Sequence, residues 1–131
     1  MIKEKSYNMK NVLEVMQGYI KAYRDNNKDY FLTLWESEAI FEDPVGADPM
    51  IGINAISEFW DFGHTGFSII PKDESFLVCG EEGILQAIMQ VRNKEDGSGM
   101  DIKIIDHFQV SDANKIKHLR AFWDQSSITP A

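Results

Sequence analysis

The chain predicts an α+β fold, with N-terminal helices packed on a curved, mainly antiparallel sheet. Three observations point there. Apolar residues fall at helical spacing near the start. Later runs have strand patterns and are joined by short polar turns. Helical patterns come first and strand patterns afterwards, the order of an α+β domain. At 131 residues, the chain suits one domain, 1–131, around one core. Such a sheet wrapped on a few helices forms a cone with a deep apolar interior.

From about Asn8 to Asn26, Met9, Val12, Met16, Tyr19, Ile20 and Tyr23 stand at the spacing of an amphipathic helix. A second short helix is expected over Lys28–Ser37. Ala39–Glu42 reads as a short strand running into the turn Asp43-Pro44-Val45-Gly46. Pro44 disfavours helical backbone at Asp43 and closes that strand. Asn54–Phe62 predicts a third helix with Ile56, Phe59 and Trp60 inward. Gly66–Ile70 and Ser75–Cys79 read as strands on either side of a turn at Pro71-Lys72-Asp73. Ile84–Arg92, Met100–Val110 and Lys115–Asp124 then continue an antiparallel meander through turns rich in Gly, Asp, Ser and Asn.

Composition narrows the functions. Thirteen basic residues against 21 acidic ones give a formal charge of −8. That balance disfavours nucleic acid and anionic membranes as partners. The short basic run Lys115, Lys117, His118 and Arg120 reads as a solvated strand face. One cysteine, Cys79, excludes an internal disulfide and reads as a buried or half-buried bystander. No apolar run approaches the ~20 residues of a membrane span, and the first ten residues lack the apolar stretch of a signal peptide. A cytoplasmic address is the expectation. His64, His107 and His118 lie far apart without metal-ligand spacing, so no metal site is expected.

Three acidic or phenolic groups stand among apolar neighbours. In Met100–Val110, one strand face carries Met100, Ile102, Ile104, Asp106, Phe108 and Val110. A carboxyl strung among large apolar groups is hydrogen-bonded, protonated or both. Tyr19 lies on the inward face of the first helix, and Asp43 at a strand end before Pro44. Position alone leaves other readings open. Tyr19 also fits core filling, Asp43 a turn carboxylate accepting backbone N–H groups, and Asp106 a structural hydrogen-bonded carboxylate. Together they make a chemical set. An ionised carboxylate takes a proton, while a neutral carboxylic acid and a phenol donate hydrogen bonds. A base with two donors suits proton abstraction beside a carbonyl, with the enolate oxygen held by the donors.

These residues sit in segments that resemble a known family. Phe41-Glu42-Asp43-Pro44-Val45-Gly46-Ala47-Asp48-Pro49-Met50-Ile51-Gly52, followed by Ala55-Ile56-Ser57-Glu58-Phe59-Trp60, is similar to the ketosteroid isomerases. Gln17-Gly18-Tyr19-Ile20, Ile105-Asp106-His107-Phe108 and Leu119-Arg120-Ala121-Phe122-Trp123 carry the same likeness. The resemblance covers nearly the whole chain, and Glu-Asp-Pro-Val-Gly is its most specific part. It implies a cystatin-like, nuclear-transport-factor-2-like (NTF2-like) cone, usually a homodimer. It implies Asp43 as catalytic base, Tyr19 and Asp106 as the oxyanion hole, and no metal or organic cofactor. The implied reaction moves the β,γ double bond of a ketone, steroid or similar polycycle, into conjugation. It implies substrate walls at Trp123, and at Leu85 and Met89 on the strand face shared with Ala87 and Val91. Phe59, Trp60 and Phe108 join them as candidate substrate contacts. Some family members place a tyrosine where Trp60 stands, bonded to the oxyanion-hole tyrosine, and a tyrosine or phenylalanine where Trp35 stands. Both positions here add bulk, and Trp60 removes that hydroxyl. Glu42 reads as a solvent-facing neighbour of Asp43. Two other functions suit the same cone: a SnoaL-like polyketide cyclase or dehydratase, and a non-catalytic small-molecule binder.

Overall fold

The structure is a computed structural model that describes residues 11–131. The first helix, α1, spans Val12–Arg24 and is capped by the Asn11 side chain, which accepts the Glu14 N–H at 3.2 Å. The expected start at Asn8 lies outside the described residues. Helix α2 spans Lys28–Thr33, capped by Asn27 accepting from the Tyr30 N–H. Strand β1 (Trp35–Glu42), the two-residue β2 (Met50–Ile51) and helix α3 (Ile53–His64) follow. Strands β3 (Phe67–Cys79), β4 (Glu82–Asn93), β5 (Gly99–Val110) and β6 (Ile116–Phe122) form the body of the sheet. A 3₁₀ turn at Gln125–Ser127 leads to β7 (Ile128–Pro130). No helix among the described residues is long and apolar enough to cross a membrane.

The sheet order is β2-β1-β6-β5-β4-β3, with β7 on the free part of β5. β3 through β6 pair antiparallel as a meander, whereas β1 lies parallel to β6. The fold is α+β, with the helices packed on a mixed, mostly antiparallel sheet. Period-2 alternation gives the sheet one inner face. Leu85, Asp106 and Ala121 form one inner row across β4, β5 and β6, and all three are buried. Met89 and Ile102 form another such pair. Helix α1 lies close against β4, where Gly83 makes room. A Cβ there would stand 2.6 Å from Met16 Cε.

Several expectations change. Helix α2 stops at Thr33, because Trp35 pairs with Ile116 and the Leu34 carbonyl accepts the Ile116 N–H at 2.7 Å. Strand hydrogen bonds therefore claim Trp35, Glu36 and Ser37. The two strands expected on either side of Pro71-Lys72-Asp73 are one, β3. It carries an irregularity between Lys72 and Ser75, with Asp73 at φ +54. β3 is an edge strand, so the missing N–H of Pro71 costs little there. Cys79 is exposed at the end of that edge, not buried. The last strand ends at Phe122. Asp124 caps the 3₁₀ turn and β7 returns along β5, with Ile128 paired to Ile102.

Candidate active site

The inner face of β4 and β5, the inward side of α1 and the end of β6 enclose a cavity of about 120 Å³. Its polar lining is Tyr19, Tyr23, Asp43 and Asp106, with the indole of Trp123. Its apolar lining is Ile69, Met89, Val91, Ile102, Ile104 and Ala121.

Each polar group arrives by a local rule. Tyr19 and Tyr23 are one helical turn apart, so they share the buried face of α1. Asp43 ends β1 at a cis Asp43–Pro44 bond, and the Val45 N–H donates to the Ala121 carbonyl at 2.8 Å. That bond ties the turn to the end of β6. Trp123 follows β6 directly, and its Nε1–H donates to Asp43 Oδ1 at 2.6 Å. Asp106 sits between Leu85 and Ala121 in the inner row.

The two carboxyls differ in surroundings. Asp106 is 2% exposed, and its Oδ1 is buried without a hydrogen-bond partner. Burial, with the Asp43 charge as a smaller contribution, pushes its pKa well above the usual carboxylate range. That shift favours the neutral acid, whose O–H can donate. Asp43 is pushed up only to about 6: burial raises it and the Trp123 hydrogen bond lowers it. At pH 7 it is the carboxylate. Tyr19 is raised well above an ordinary phenol, first by burial and then by Tyr23, Asp106 and Asp43. Tyr23 is raised by burial and by the Asp43 charge. Both phenols keep their protons.

Of the residues singled out in the sequence, Asp43, Tyr19, Asp106, Trp123, Met89 and Val91 come together around this cavity. Phe59, Trp60, Leu85 and Phe108 do not line it. Phe108 is fully buried and packs edge-on against Tyr19, ring centroids 5.2 Å apart. Leu85 is fully buried beside Asp106. Trp60 stacks on His64 at 4.0 Å and meets Phe31 at 4.5 Å and Tyr23 at 4.8 Å. Phe59 meets Phe41 edge-on at 5.2 Å. Tyr23 is the lining residue that sequence reading left as plain helix face. Its spacing from Tyr19 was the available signal.

The charged neighbours are engaged elsewhere. Glu42 is largely shielded rather than solvent-facing, with a side chain 19% exposed. Its Oε2 accepts from His118 Nε2 at 2.6 Å and from Arg120 Nε at 3.1 Å. Lys115 Nζ donates to the Thr33 carbonyl. So His118, Arg120 and Lys115 of the basic run make specific contacts beyond solvent. His107 pairs with Glu82 at 2.6 Å. Among the described residues, no three histidine, cysteine, aspartate or glutamate side chains are grouped to hold a metal ion.

This architecture is the NTF2-like, SnoaL-like fold, a class of α+β proteins whose interior takes different chemistries. No protein-family profile matches the chain. The Δ5-3-ketosteroid isomerase from Mycobacterium sp. superposes with a TM-score of 0.82 at 18% identity, over 92% of this chain and 98% of that one. A computationally designed 17-OHP binder gives 0.83 at 16% identity, again over 92% and 98%. SalBIII, an epoxide hydrolase/cyclase-like enzyme with a role in pyran ring formation in the polyether salinomycin, gives 0.77 at 23% identity, over 90% and 94%. Identities this low carry the fold and not the activity. The same fold serves isomerases, cyclase-like enzymes and binders.

Proposed function

We propose that the protein is a cofactor-independent isomerase of β,γ-unsaturated ketones. One observation carries the reading. A single small cavity holds a carboxylate near neutrality, a carboxyl kept neutral by burial, and a buried phenol. Asp43 takes the proton from the carbon between the carbonyl and the double bond. The electron pair moves onto the carbonyl oxygen, giving a dienolate. Tyr19 and neutral Asp106 donate hydrogen bonds to that oxygen, where charge has developed. Asp43 then returns the same proton to the γ carbon and the conjugated enone leaves. The proton balance closes on Asp43 alone.

The apolar lining and the cavity size support an apolar ring as substrate. A cavity of roughly 150 Å³ lined by apolar side chains binds benzene, so about 120 Å³ is room for no more than one ring, the one that carries the ketone. A steroid or similar polycycle would present that ring and extend its others beyond. A second reading, a cyclase, draws support from the likeness to SalBIII. There Asp43 would still move a proton, with the neutral Asp106 as the acid.

Ultraviolet absorbance of the conjugated enone tests the isomerase. A Δ5-3-ketosteroid and a one-ring β,γ-enone are the substrates, with Asp43→Asn run beside the wild type. The expected loss is about 10²–10⁴-fold, the range for removing a general base. A wild type no faster than buffer, or a rate that survives in Asp43→Asn, overturns the proposal. We also propose a homodimer, supported by exposed Leu77, Ile105 and Phe122 on the strands of the sheet. Sedimentation at the mass of a single chain would refute it.

A further inference from the structure

We propose that Glu42 is a positioning residue for the base: clamped by His118 and Arg120 on the outer face of the sheet, it holds Asp43 against the Trp123 indole on the inner face. The inference rests on the site reading above and extends it to three side chains which that reading leaves unused.

The observations are geometric. β1 and β6 run parallel, and their pairing is interrupted. Between the pairs Trp35–Ile116 and Ile40–His118, residues 36–39 of β1 stand opposite the single Lys117 of β6. Regular register returns only for Ile40, Phe41 and Glu42, opposite His118, Leu119 and Arg120. Asp43 follows at once, at the cis bond to Pro44. Trp123 follows the end of β6. The bond between them, 2.6 Å from Nε1 to Oδ1, therefore depends on how two strand ends stand relative to each other.

A side-chain clamp spans that short stretch. Glu42 Oε2 accepts from His118 Nε2 at 2.6 Å and from Arg120 Nε at 3.1 Å. The Glu42 side chain is largely shielded, so water and salt weaken these bonds less than those of an open surface pair. Arg120 is braced in turn, its guanidinium 5.3 Å from the centroid of the Phe122 ring. Successive strand residues point to opposite faces. Fixing Glu42 outside thus fixes the backbone that aims Asp43 inside. Glu42 touches no reacting atom and works through the Asp43–Trp123 bond.

The test reads the Asp43 carboxyl directly, by carbon-13 NMR titration of the full chain, and needs no turnover. Tyr19, Tyr23 and Asp106 share the cavity with Asp43 and are unaltered in every variant. In the wild type the Asp43 midpoint is expected at about 6. Glu42→Ala opens the clamp and should weaken the Trp123 bond that favours the Asp43 anion. The carboxylate-to-acid ratio at pH 6 should fall about threefold, with the Trp123 indole N–H signal shifted. Glu42→Gln keeps an acceptor in place and should recover most of that loss. Loss of the Glu42 charge by itself acts in the opposite sense, because removing a nearby anion favours the carboxylate. Added to Trp123→Phe, Glu42→Ala should change the ratio less than about 1.5-fold, since the bond it serves is already gone. His118→Leu removes the 2.6 Å bond alone. It should give a smaller fall in the same sense, and it carries the test if Glu42→Ala does not fold. An unchanged or raised ratio in these variants, or losses that multiply in the double variant, overturns the inference. The expected falls in a protein without enone activity would uphold the clamp and overturn the isomerase reading alone.

Discussion

Asp43 and Asp106 are the same side chain at two places in one cavity, and their surroundings push their proton affinities apart. Asp106 is flanked by Leu85 and Ala121 and leaves an oxygen unpaired. Asp43 stands at a turn, half-buried, with an indole N–H 2.6 Å from its oxygen. Burial acts on both, but only Asp43 has a donor that stabilises its anion. On the proposed function, the strand row supplies the acid and the turn the base. The two differ both in depth and in hydrogen-bond partners, with burial the larger cause in each.

After Asp43→Asn, the largest effect should come from erasing the acid. Asp106→Leu is expected to lower kcat by about 10²–10³-fold, the cost of losing one oxyanion donor. It should also stabilise the fold by about 1–3 kcal/mol, because a buried polar atom without a partner disappears. Enone kinetics and urea denaturation of the same variant check both. The gain should depend on pH. The folded pKa of Asp106 is raised, so its neutral form favours folding below the unfolded value, and that contribution is lost as pH rises toward the folded pKa. Asp106→Leu should therefore gain least near pH 3 and progressively more above pH 4. Equal stability at every pH would mean that Asp106 titrates normally, and the contrast with Asp43 would collapse.

The acidic limb of the rate profile should report Asp43. With its pKa at about 6, kcat/KM should fall about tenfold per pH unit below that value and level off above it. The same shift costs the fold on the order of 2 kcal/mol as pH rises from 4 to 7, since the stability of the neutral form is lost through about 6. Asp43→Asn should not show that slope. An inflection near 4 would place the base in water-like surroundings.

Much of this contrast could be read in the sequence, for a reason particular to each residue. Asp106 was legible because strand alternation is rigid: one parity places it with Ile104 and Phe108 on the inner face. The environment of Asp43 was less so. Its donor, Trp123, lies 80 positions away, and no local pattern shows a contact made by β6 closing beside β1. The apolar lining was legible as a face but not as a list. Leu85 and Met89 share parity, yet only Met89 borders the cavity. Which row meets the space depends on where α1 and Asp106 fill it. Phe59 and Trp60 looked available because α3 is amphipathic, but the aromatic packing with Phe31, Phe41 and His64 absorbs them. The end of α2 failed because Trp35 has a parallel partner in Ile116, a pairing too distant in sequence for local propensity to foresee.

The smallest effect is also the sharpest probe of what separates the two carboxyls. Trp123→Phe keeps an aromatic wall and removes the N–H. Because that hydrogen bond lowers the pKa of Asp43, its loss should move the rate inflection upward from about 6, by roughly half to one unit. At pH 6 the rate should fall a few-fold, while at pH 8 Asp43 is ionised in both proteins and the rates should converge. Loss of wall contact alone would instead raise KM equally at both pH values. The variant therefore separates the two roles of Trp123. An unmoved inflection would show that burial by itself sets Asp43 near 6, and that the turn distinguishes it from Asp106 by exposure rather than by its donor.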